Sequence, residues 1–320
     1  MAADPLVWIL SGGRKGDLDQ MLALARATGW RHEVKQATRS LAPPWPDLLL
    51  CAEASASRLA LRIKRLAEGR TRAVCLGRPA GATRGFDLVI TTAQYRIPAA
   101  PNVVEIGMPL SAAREGAGPA APDGPVALLV GGPAFPDLLD GAAAARLAAE
   151  ALAYAARRGH ILSVQTSPRT PPNAIRALEA AIRPPHRLAV FGAGENRYAD
   201  LLAEASEIVV TSDSVSMLSD ALASARPVSV YPLPQALNLK WRAGEWLFRS
   251  TLAPVRWLFD AGLIEAAADR RRLHARLVAE RRLVPFGEEP LPPLPGASGR
   301  DLETAVQSLR ALMAGTAYHE

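Results

Sequence analysis

The sequence lacks several features that would place it in a specialised class of protein. Its two cysteines, Cys51 and Cys75, are too few for a disulfide framework or a zinc site of their own. No charge-free apolar run is long enough for a transmembrane helix. The motifs HExxH, CxxC and G-x-S-x-G are missing, and the histidines have no metal-binding spacing. These absences argue against metalloproteases, zinc proteins and α/β-type hydrolases, and we expect no metal.

The chain does contain enough apolar residues for two full-sized cores. Hydrophobic residues make up 49% and charged residues 21% of the 320 positions, with a net charge of +6. The N-terminal segment reaches Gly12 after a short apolar run, which favours a first β-strand over a signal peptide. Both cysteines end apolar runs, so we expect the buried, reduced thiols of a cytoplasmic protein.

Short apolar runs alternate with helical patterns along both halves of the chain. Runs such as Leu6–Leu10 and 126–130 are rich in Leu and Val, which is typical of parallel strands buried on both faces. Between 111 and 125, eleven of fifteen residues are Ala, Gly or Pro, which indicates a linker. The pattern predicts an α/β fold with two doubly wound Rossmann-like domains, 1–110 and 126–295, facing a central cleft.

The last part of the chain departs from this alternation. Residues 240–282 contain three of the six tryptophans, and ten Lys or Arg against five Asp or Glu. This aromatic-basic segment is predicted to belong to the second domain. It would either lie on an anionic membrane surface or pack as outer helices with solvated arginines. Residues 296–320 are predicted to form a C-terminal helix that packs back on the N-terminal domain.

Ligands of open parallel sheets bind at the carboxyl ends of the strands, so the loops there are the candidate sites. In the second domain, Ser212, Ser214 and Ser216 surround a predicted helix start whose N–H groups suit a phosphate, and Asp220 would meet a ribose hydroxyl. Arg169 and the hydroxyls beside it offer a further phosphate contact. The candidate ligand-binding residues, which the resemblance described below assigns to a donor, are Gly131, Gly132, Thr166, Ser167, Arg169, Thr170, Glu195, Asn196, Tyr198, Ser212, Asp213, Ser214, Ser216, Met217 and Asp220.

Each of these patterns also has a plainer structural explanation. A tight strand-to-helix turn would equally require Gly131 and Gly132. Thr170 would serve as an ordinary cap for the helix that starts near it. Glu195 and Asn196 would either bind a base or sugar edge, or cap the helix that follows. The three serines, Ser212, Ser214 and Ser216, would simply cap the helix that starts there. The spacing of the residues leaves these alternatives open.

The loop after the first strand is a second candidate site, which the resemblance described below places on the acceptor side. It matches neither the dinucleotide-binding nor the P-loop pattern. Asp17 is predicted to cap the following helix and is the candidate general base, although a carboxylate at that position is normally acidified. The acceptor-side residues are Ser11, Gly12, Gly13, Gly16 and Gln20.

A family resemblance becomes visible in residues 194–234. They read GENRYADLLAEASEIVVTSDSVSMLSDALASARPVSVYPLP. This is similar to the pattern GEN-P-Y, VVT-x-DSVSM-x-SEA and G-K-P-V of a bacterial glycosyltransferase-like family with plant relatives in mitochondrial fission. Further stretches resemble the same family in order, namely LSGGRKGDLDQ (10–20), FDLVI (86–90), LLVGGP (128–133) and TSPRTP (166–171).

The resemblance implies a glycosyltransferase-B-like fold whose C-terminal domain holds a nucleotide-sugar donor. By that resemblance, Ser212, Asp213, Ser214 and Ser216 would cradle the diphosphate, and Asp220 stands where the family has a Glu for the ribose. The implied reaction is sugar transfer from a nucleotide-diphosphate donor to a cell-envelope glycan or a lipid-linked precursor. No cofactor is expected, because hydroxyls, Arg and helix N-termini neutralise the leaving diphosphate in such sites.

The acceptor-side loop departs from the family at three positions. Gly12, Asp17 and Asp19 stand where the family has Asp, His and Asn. Two alternatives therefore stay open: a nucleotide-sugar epimerase of the same fold, and a non-catalytic, membrane-associated adaptor. No nucleic-acid partner is expected, because the basic residues lie in one late segment without a recognition motif. The expected location is the cytoplasm, with peripheral attachment to the inner membrane face.

Overall fold

The computed structural model describes residues 4–37, 41–110, 122–195, 197–236, 239–249, 252–260, 268–294 and 297–315. The chain divides into two compact units. The first unit takes its described residues from Met1–Ala112, Leu239–Asp269 and Ser298–Glu320, and the second from Ala113–Asn238 and Arg270–Ala297.

Strands and helices alternate through most of the chain. The strands are β1 (Leu6–Ser11), β2 (Arg31–Gln36), β3 (Leu48–Cys51), β4 (Arg72–Leu76), β5 (Leu88–Thr92), β6 (Val103–Ile106), β7 (Val126–Val130), β8 (Leu162–Thr166), β9 (Arg187–Ala189), β10 (Glu207–Thr211), β11 (Val228–Tyr231) and β12 (Val284–Pro285). The helices are α1 (Lys15–Thr28), α2 (Ala54–Leu66), α3 (Gly141–Arg158), α4 (Pro172–Ala181), α5 (Tyr198–Glu204), α6 (Val215–Ala223), α7 (Leu239–Arg249), α8 (Ala253–Asp260), α9 (Arg270–Ala279) and α10 (Ala297–Met313).

Each unit is built on one parallel sheet. The first sheet has the order β2-β1-β3-β4-β5-β6, and the second has the order β12-β11-β10-β7-β8-β9. In both sheets the strand order reverses beside the first strand of the unit, β1 or β7. Doubly wound sheets bind ligands at the carboxyl ends of the strands around such a switch point. The predicted fold class, two Rossmann-like α/β units, is confirmed.

Alternate residues of β1 supply a core on each face of the first sheet. Val7 and Ile9 pack in the core that includes α1, whereas Trp8 and Leu10 pack in the core that includes α2. Because both faces are covered, the strand needs apolar residues at every position, which explains its continuous apolar run.

The C-terminal helix α10 packs on the first unit. Leu309 is fully buried in the same core as α1. The Asp301 carboxylate accepts hydrogen bonds from the backbone N–H groups of Gly107 and Met108, at 2.7 and 3.1 Å. These contacts attach the end of the chain to the segment that follows β6.

The aromatic-basic segment, 240–282, was predicted to lie in the second domain, but the second unit contains only the part that starts at Arg270. The Asp269 carboxylate pairs with Arg96 of the first unit. The next residue, Arg270, pairs with Asp137 of the second unit at 3.1 Å. The chain therefore changes units between two adjacent residues, each of which is anchored by a buried or half-buried ion pair.

This boundary corrects the prediction that 240–282 is one segment of the second domain. The part before residue 270 contains all three tryptophans but has equal numbers of basic and acidic residues, four of each. The part from residue 270 contains six arginines and one glutamate, and it belongs to the second unit. The aromatic and the basic side chains are thus divided between two units, because tertiary contacts decide membership and sequence proximity does not.

Two local predictions also need correction. Helix α1 begins at Lys15 with Arg14 as its N-cap, so Asp17 lies in the first turn and does not cap the helix. Strand β12 was not predicted, because two residues are too few to show a hydrophobic period.

Candidate functional site

Three loops that carry predicted donor-binding residues lie side by side in the second unit. They follow β7, β8 and β10, which are neighbours in the order β10-β7-β8. Because the strands are parallel, their carboxyl ends meet at one edge of the sheet. The sequence could not show this order, since β10 is the third strand after β7 along the chain yet pairs with it.

Asp213 holds these three loops together. Its carboxylate accepts hydrogen bonds from Thr211 Oγ1 at 2.7 Å and from the backbone N–H of Gly132 at 2.7 Å. Arg169 Nη2 lies 3.3 Å from the same carboxylate. The Asp213 side chain is fully buried, and this burial raises its pKa, while the two hydrogen bonds and the Arg169 charge oppose that rise. Asp213 therefore links the three loops, and its predicted contact with a diphosphate stays a prediction.

The two glycines after β7 are explained by contacts within the protein. A Cβ atom on Gly131 would overlap the Asp213 carboxylate, and one on Gly132 would overlap the backbone of Arg169. The glycines thus permit the loops to approach one another. Their predicted role in admitting a diphosphate stays a prediction.

Most hydroxyls of the loop after β8 are also engaged inside the protein. Thr170 Oγ1 donates to the Gly131 carbonyl at 2.5 Å and accepts from the Ser167 backbone N–H at 2.9 Å. Thr166 Oγ1 accepts from the Phe191 N–H at 2.8 Å. Thr170 does not cap α4, because its hydroxyl is used by the β7 loop. Arg169, whose side chain is 49% exposed, remains the accessible polar group of this loop.

Helix α6 begins beside the Asp213–Arg169 pair. Ser214 is its N-cap but makes no side-chain capping hydrogen bond, and Ser216 in the first turn is exposed. Ser212 Oγ accepts a hydrogen bond from the Leu233 N–H at 3.1 Å. Met217 is buried and packs inward. Ser214 is only 3% exposed, so Ser216 is the exposed serine at the start of α6, and the ligand contacts predicted for these residues stay predictions.

Asp220 lies between one and two turns after the start of α6, and it pairs with Tyr198 at the start of α5. Tyr198 Oη donates to the Asp220 carboxylate at 3.1 Å. Burial raises the pKa of Tyr198 well above its usual range, and the adjacent Asp220 charge raises it further. Glu195 is exposed, and Asn196 lies outside the described residues. The sequence indicated Asp220 and Tyr198 separately but not their contact.

The predicted acceptor-side loop is shaped by Glu53, which the sequence did not single out. The Arg14 N–H donates to Glu53 Oε1 at 3.1 Å. A Cβ on Gly12 would overlap the same carboxylate, so a larger residue there would require the Glu53 side chain to move. Ser11 Oγ accepts from the Gly13 N–H at 3.3 Å, a contact that the positive φ of Gly13 accompanies. One further contact lies in the first turn of α1, where Gln20 Nε2 donates to the Gly16 carbonyl at 3.3 Å.

Asp17 has a raised pKa, contrary to the expectation for a helix cap. The pKa rises from 3.8 to about 6, first because the carboxyl is partly buried and second because of the Glu53 charge, while Arg14 lowers it. Asp17 lines a cavity together with Thr91, Thr92 and other residues at the carboxyl end of the first sheet. The two threonines were missed; the only signal for them was a polar pair at the end of a predicted apolar strand.

Among the described residues, no group of three or more His, Cys, Asp or Glu side chains is placed to hold a metal ion. The polar groups at the strand ends of the second unit are instead an arginine, serine hydroxyls and a helix N-terminus.

Two parallel α/β sheets of this topology make up a glycosyltransferase-B-like fold. The chain belongs to the mitochondrial fission ELM1 family, whose sequence model matches residues 13–253. No protein among the curated sequences matches the chain.

Solved structures share this fold at low sequence identity. A candidate UDP-N-acetylglucosamine 2-epimerase from Listeria monocytogenes is 9% identical, with 98% of each chain covered and a TM-score of 0.52. MurG from Acinetobacter baumannii is 14% identical, with 94% of this chain and 99% of that chain covered and a TM-score of 0.45. The UDP-GlcNAc 2-epimerase from Methanocaldococcus jannaschii is 10% identical, with 97% and 99% covered and a TM-score of 0.48. The likeness to the Listeria structure concerns the fold alone.

Proposed function

We propose that this protein is a glycosyltransferase that binds the diphosphate of a nucleotide-sugar donor at the carboxyl edge of the second sheet. The observation that carries the proposal is the Asp213–Arg169 pair beside the start of α6. The buried Asp213 carboxylate lies 3.3 Å from Arg169 Nη2 and so holds one end of the guanidinium, while the Arg169 side chain as a whole stays 49% exposed. A positioned arginine next to a helix N-terminus is an arrangement that suits a phosphate group.

In this proposal, Arg169, Ser214, Ser216 and the first N–H groups of α6 bind the diphosphate. Asp220 accepts a hydrogen bond from a ribose hydroxyl, and Tyr198 orients the Asp220 carboxylate through their 3.1 Å contact. Positive charge and helix N–H groups then balance the leaving diphosphate, so no metal is required. Asp213 is a positioning residue, since its carboxylate acts through Arg169.

The proposed general base is Asp17 of the first unit. A base works best when its pKa lies near the operating pH, and the pKa of Asp17 is raised to about 6. The proposed acceptor is a hydroxyl of a cell-envelope glycan or a lipid-linked precursor.

The decisive experiment measures nucleotide diphosphate binding by calorimetry in the presence of EDTA. UDP, GDP and ADP are compared on the wild type, Arg169→Gln, Arg169→Lys and the control Arg176→Gln, whose arginine is exposed on α4 of the same unit. Loss of a charged hydrogen bond should weaken binding by about 10- to 150-fold in Arg169→Gln. Arg169→Lys should recover part of the affinity, and Arg176→Gln should bind as the wild type does.

Three outcomes would redirect the proposal. Wild-type affinity in Arg169→Gln would move the donor site elsewhere. Consumption of a UDP-sugar without any acceptor would favour an epimerase. Absence of binding by all three nucleotides would favour a non-catalytic adaptor. Thermal unfolding of each variant is measured alongside, because Arg169→Gln also removes the charge that faces buried Asp213.

We further propose that α7 and α8 attach the first unit to an anionic membrane surface. Leu239, Trp246 and Trp257 are 80%, 68% and 61% exposed, which is unusual for large apolar side chains. Residues 239–260 carry four Lys or Arg against two Asp or Glu, which favours anionic lipid. Of the described helices, none has the length and apolar character to cross a bilayer, so the proposed contact is peripheral.

Vesicle flotation tests this attachment. Vesicles of phosphatidylglycerol and phosphatidylcholine should carry the protein upward, and vesicles of phosphatidylcholine alone should carry much less. The double variant Trp246→Ala/Trp257→Ala should lose flotation, whereas Leu66→Ala, a 54% exposed apolar residue on α2, should not. Equal flotation of the double variant and the wild type would remove the membrane from the proposal.

A further inference from the structure

Strand β2 forms an open edge of the first sheet. It lies at the end of the order β2-β1-β3-β4-β5-β6 and pairs with β1 over its whole length, from Arg31 to Gln36. The other edge strands of the described chain, β6, β9 and β12, have four, three and two residues, against six in β2. Native proteins protect sheet edges with short strands, prolines or bulges. Strand β2 is long, contains no proline and keeps an unbroken register with β1.

The backbone of β2 offers hydrogen-bonding groups along this edge. The Ala37 N–H, directly after the strand, donates to the Ser11 carbonyl of β1 at 2.8 Å. Successive residues of a strand direct their N–H and C=O groups to opposite sides, so every second residue counted back from Ala37 faces β1. The residues between them face outward, where no described strand lies beside β2: they are His32, Val34 and Gln36.

The side chains of β2 leave this edge accessible. Val34 is 43% exposed, which is a large fraction for an apolar residue in a sheet. A lysine often protects an edge strand from pairing. Lys35 is instead held over the sheet, because its Nζ lies 2.6 Å from Glu33 Oε2 and 4.8 Å from the centre of the Trp8 ring on β1.

The charges of β2 are self-complementary when two copies of the strand pair in antiparallel orientation. A two-fold axis relates the copies, so each contact occurs twice. With the axis at Val34, Glu33 lies opposite Lys35 of the second copy, and the two Val34 side chains meet. The outward-facing residues then lie opposite one another as hydrogen-bonded pairs, each of which exchanges two N–H···O=C bonds. Opposite charges that face each other across two strands stabilise the pairing.

The other antiparallel registers fit less well. An axis at Glu33 would place the two glutamates opposite each other and Arg31 opposite Lys35. An axis at Lys35 would place the two lysines opposite each other, and like charges in that position are destabilising. An axis at His32 would pair Arg31 with Glu33, but Lys35 and Gln36 would then have no residue of β2 opposite them.

We propose that β2 is a dimerisation strand, which pairs in antiparallel orientation about Val34 with β2 of a second copy of this chain. The two copies of the six-stranded first sheet then form one continuous sheet. A second copy is the partner that the charges favour, because one strand supplies both the glutamate and the lysine of each cross-strand pair. The pairing does not rest on the proposed function, since it involves no nucleotide and no residue of the second unit.

Sedimentation velocity on the full chain tests the proposal. At low salt, the wild type should change from monomer to dimer between about 1 µM and about 100 µM. Val34→Pro should raise the dissociation constant at least about tenfold, because it removes the N–H group at the two-fold axis. The same substitution removes no hydrogen bond to β1, since that N–H faces outward, so the circular dichroism spectrum should be that of the wild type.

Charge reversal tests the register without a backbone change. Glu33→Lys and Lys35→Glu should each weaken dimerisation at least about tenfold, because like charges then meet twice. An equimolar mixture of the two variants should dimerise again, since every cross-strand pair in the mixed dimer has opposite charges. Glu68→Lys and Arg70→Glu are the matched controls: they make the same charge changes in an exposed ion pair of the first unit and should dimerise as the wild type does.

Three results would overturn the proposal. The first is a wild type that stays monomeric at about 100 µM. The second is a Val34→Pro variant that dimerises like the wild type, which would place the interface on another face. The third is a mixture of the two charge variants that dimerises no better than either alone. Dimers without nucleotide binding would overturn only the proposed function, and a monomer that binds nucleotide would overturn only this inference.

Discussion

Replacing Asp17 with Asn should stabilise the first unit at neutral pH and reduce its dependence on pH. The pKa of Asp17 is about 6 in the folded protein, against 3.8 for an ordinary aspartate, mainly because of burial. Between these two values the unfolded chain has released the proton while the folded chain keeps it. The free energy of unfolding must therefore fall as the pH rises through this window.

The magnitude follows from the size of the shift. One pKa unit corresponds to about 1.4 kcal/mol, so a rise of about two units costs at most about 3 kcal/mol once the carboxyl is ionised. Asp17 is only partly buried, so solvent screening reduces the expected value to about 2 kcal/mol. This contribution is fully present below pH 3.8, and it is lost as the pH passes about 6. An Asn side chain cannot ionise and so avoids the loss.

Urea unfolding followed by tryptophan fluorescence suits this measurement. All six tryptophans lie in segments of the first unit, so their emission reports that unit alone. The stability difference between Asp17→Asn and the wild type should be near zero at about pH 4 and reach about 2 kcal/mol at about pH 8. Asp19→Asn is the matched control. The exposed ion pair between Asp19 and Lys15, at 2.6 Å, should contribute only about 0–1 kcal/mol to stability at either pH.

A second substitution tests the cause of the shift. Removing the Glu53 charge in Glu53→Gln should move the pH window of the wild-type loss to lower values, because Glu53 raises the pKa of Asp17. Parallel pH curves for Asp17→Asn and the wild type would refute the reasoning. The reasoning would also be refuted if the wild type became more stable relative to Asp17→Asn as the pH rises.

Three further predictions concern packing and ion pairs, each measured by urea unfolding. Leu309→Ala should cost about 2–5 kcal/mol in the tryptophan signal, because it empties a fully buried site in the first core. Gly131→Ala should cost about 1–3 kcal/mol or more by circular dichroism, because the new methyl overlaps the Asp213 carboxylate; an unchanged midpoint would contradict that contact. Arg270→Met should cost about 3–5 kcal/mol, because it leaves the buried Asp137 carboxylate without its partner, and a loss below about 1 kcal/mol would show that the pair is not formed.

The fold class followed from local pattern alone. Strands such as β1 and β7 are buried on both faces, so every position must be apolar, and this shows directly as a continuous run. The helices between them are long enough to reveal their start and stop signals, as Gly29 and Gly159 do at the ends of α1 and α3. Parallel strands joined by helices leave few other architectures.

The edge of the sheet that carries the candidate donor site was also predictable. Polar loops follow β7, β8 and β10, and parallel strands place such loops at one edge. The sequence did not show which of these polar side chains are hydrogen-bonded to other loops of the protein. Asp213 and Thr170 are engaged in bonds between loops, whereas Arg169 is left half exposed. These partners are distant in sequence, so no spacing rule could have separated them.

Only the tertiary structure decided the remaining features. The aromatic-basic segment looked continuous, but Asp269 and Arg270 anchor its two parts to different units. Asp17 looked like an acidified helix cap, but burial and Glu53 raise its pKa to about 6. Thr91 and Thr92 looked like the polar end of a strand, but both are buried, at 1% and 3% exposed. Residue type and order determined the strands, the helices and the sheet edge, because those depend on local periodicity. Burial, charge environment and hydrogen-bond partners depend on residues brought together from far along the chain, and they determined which side chains are available for chemistry.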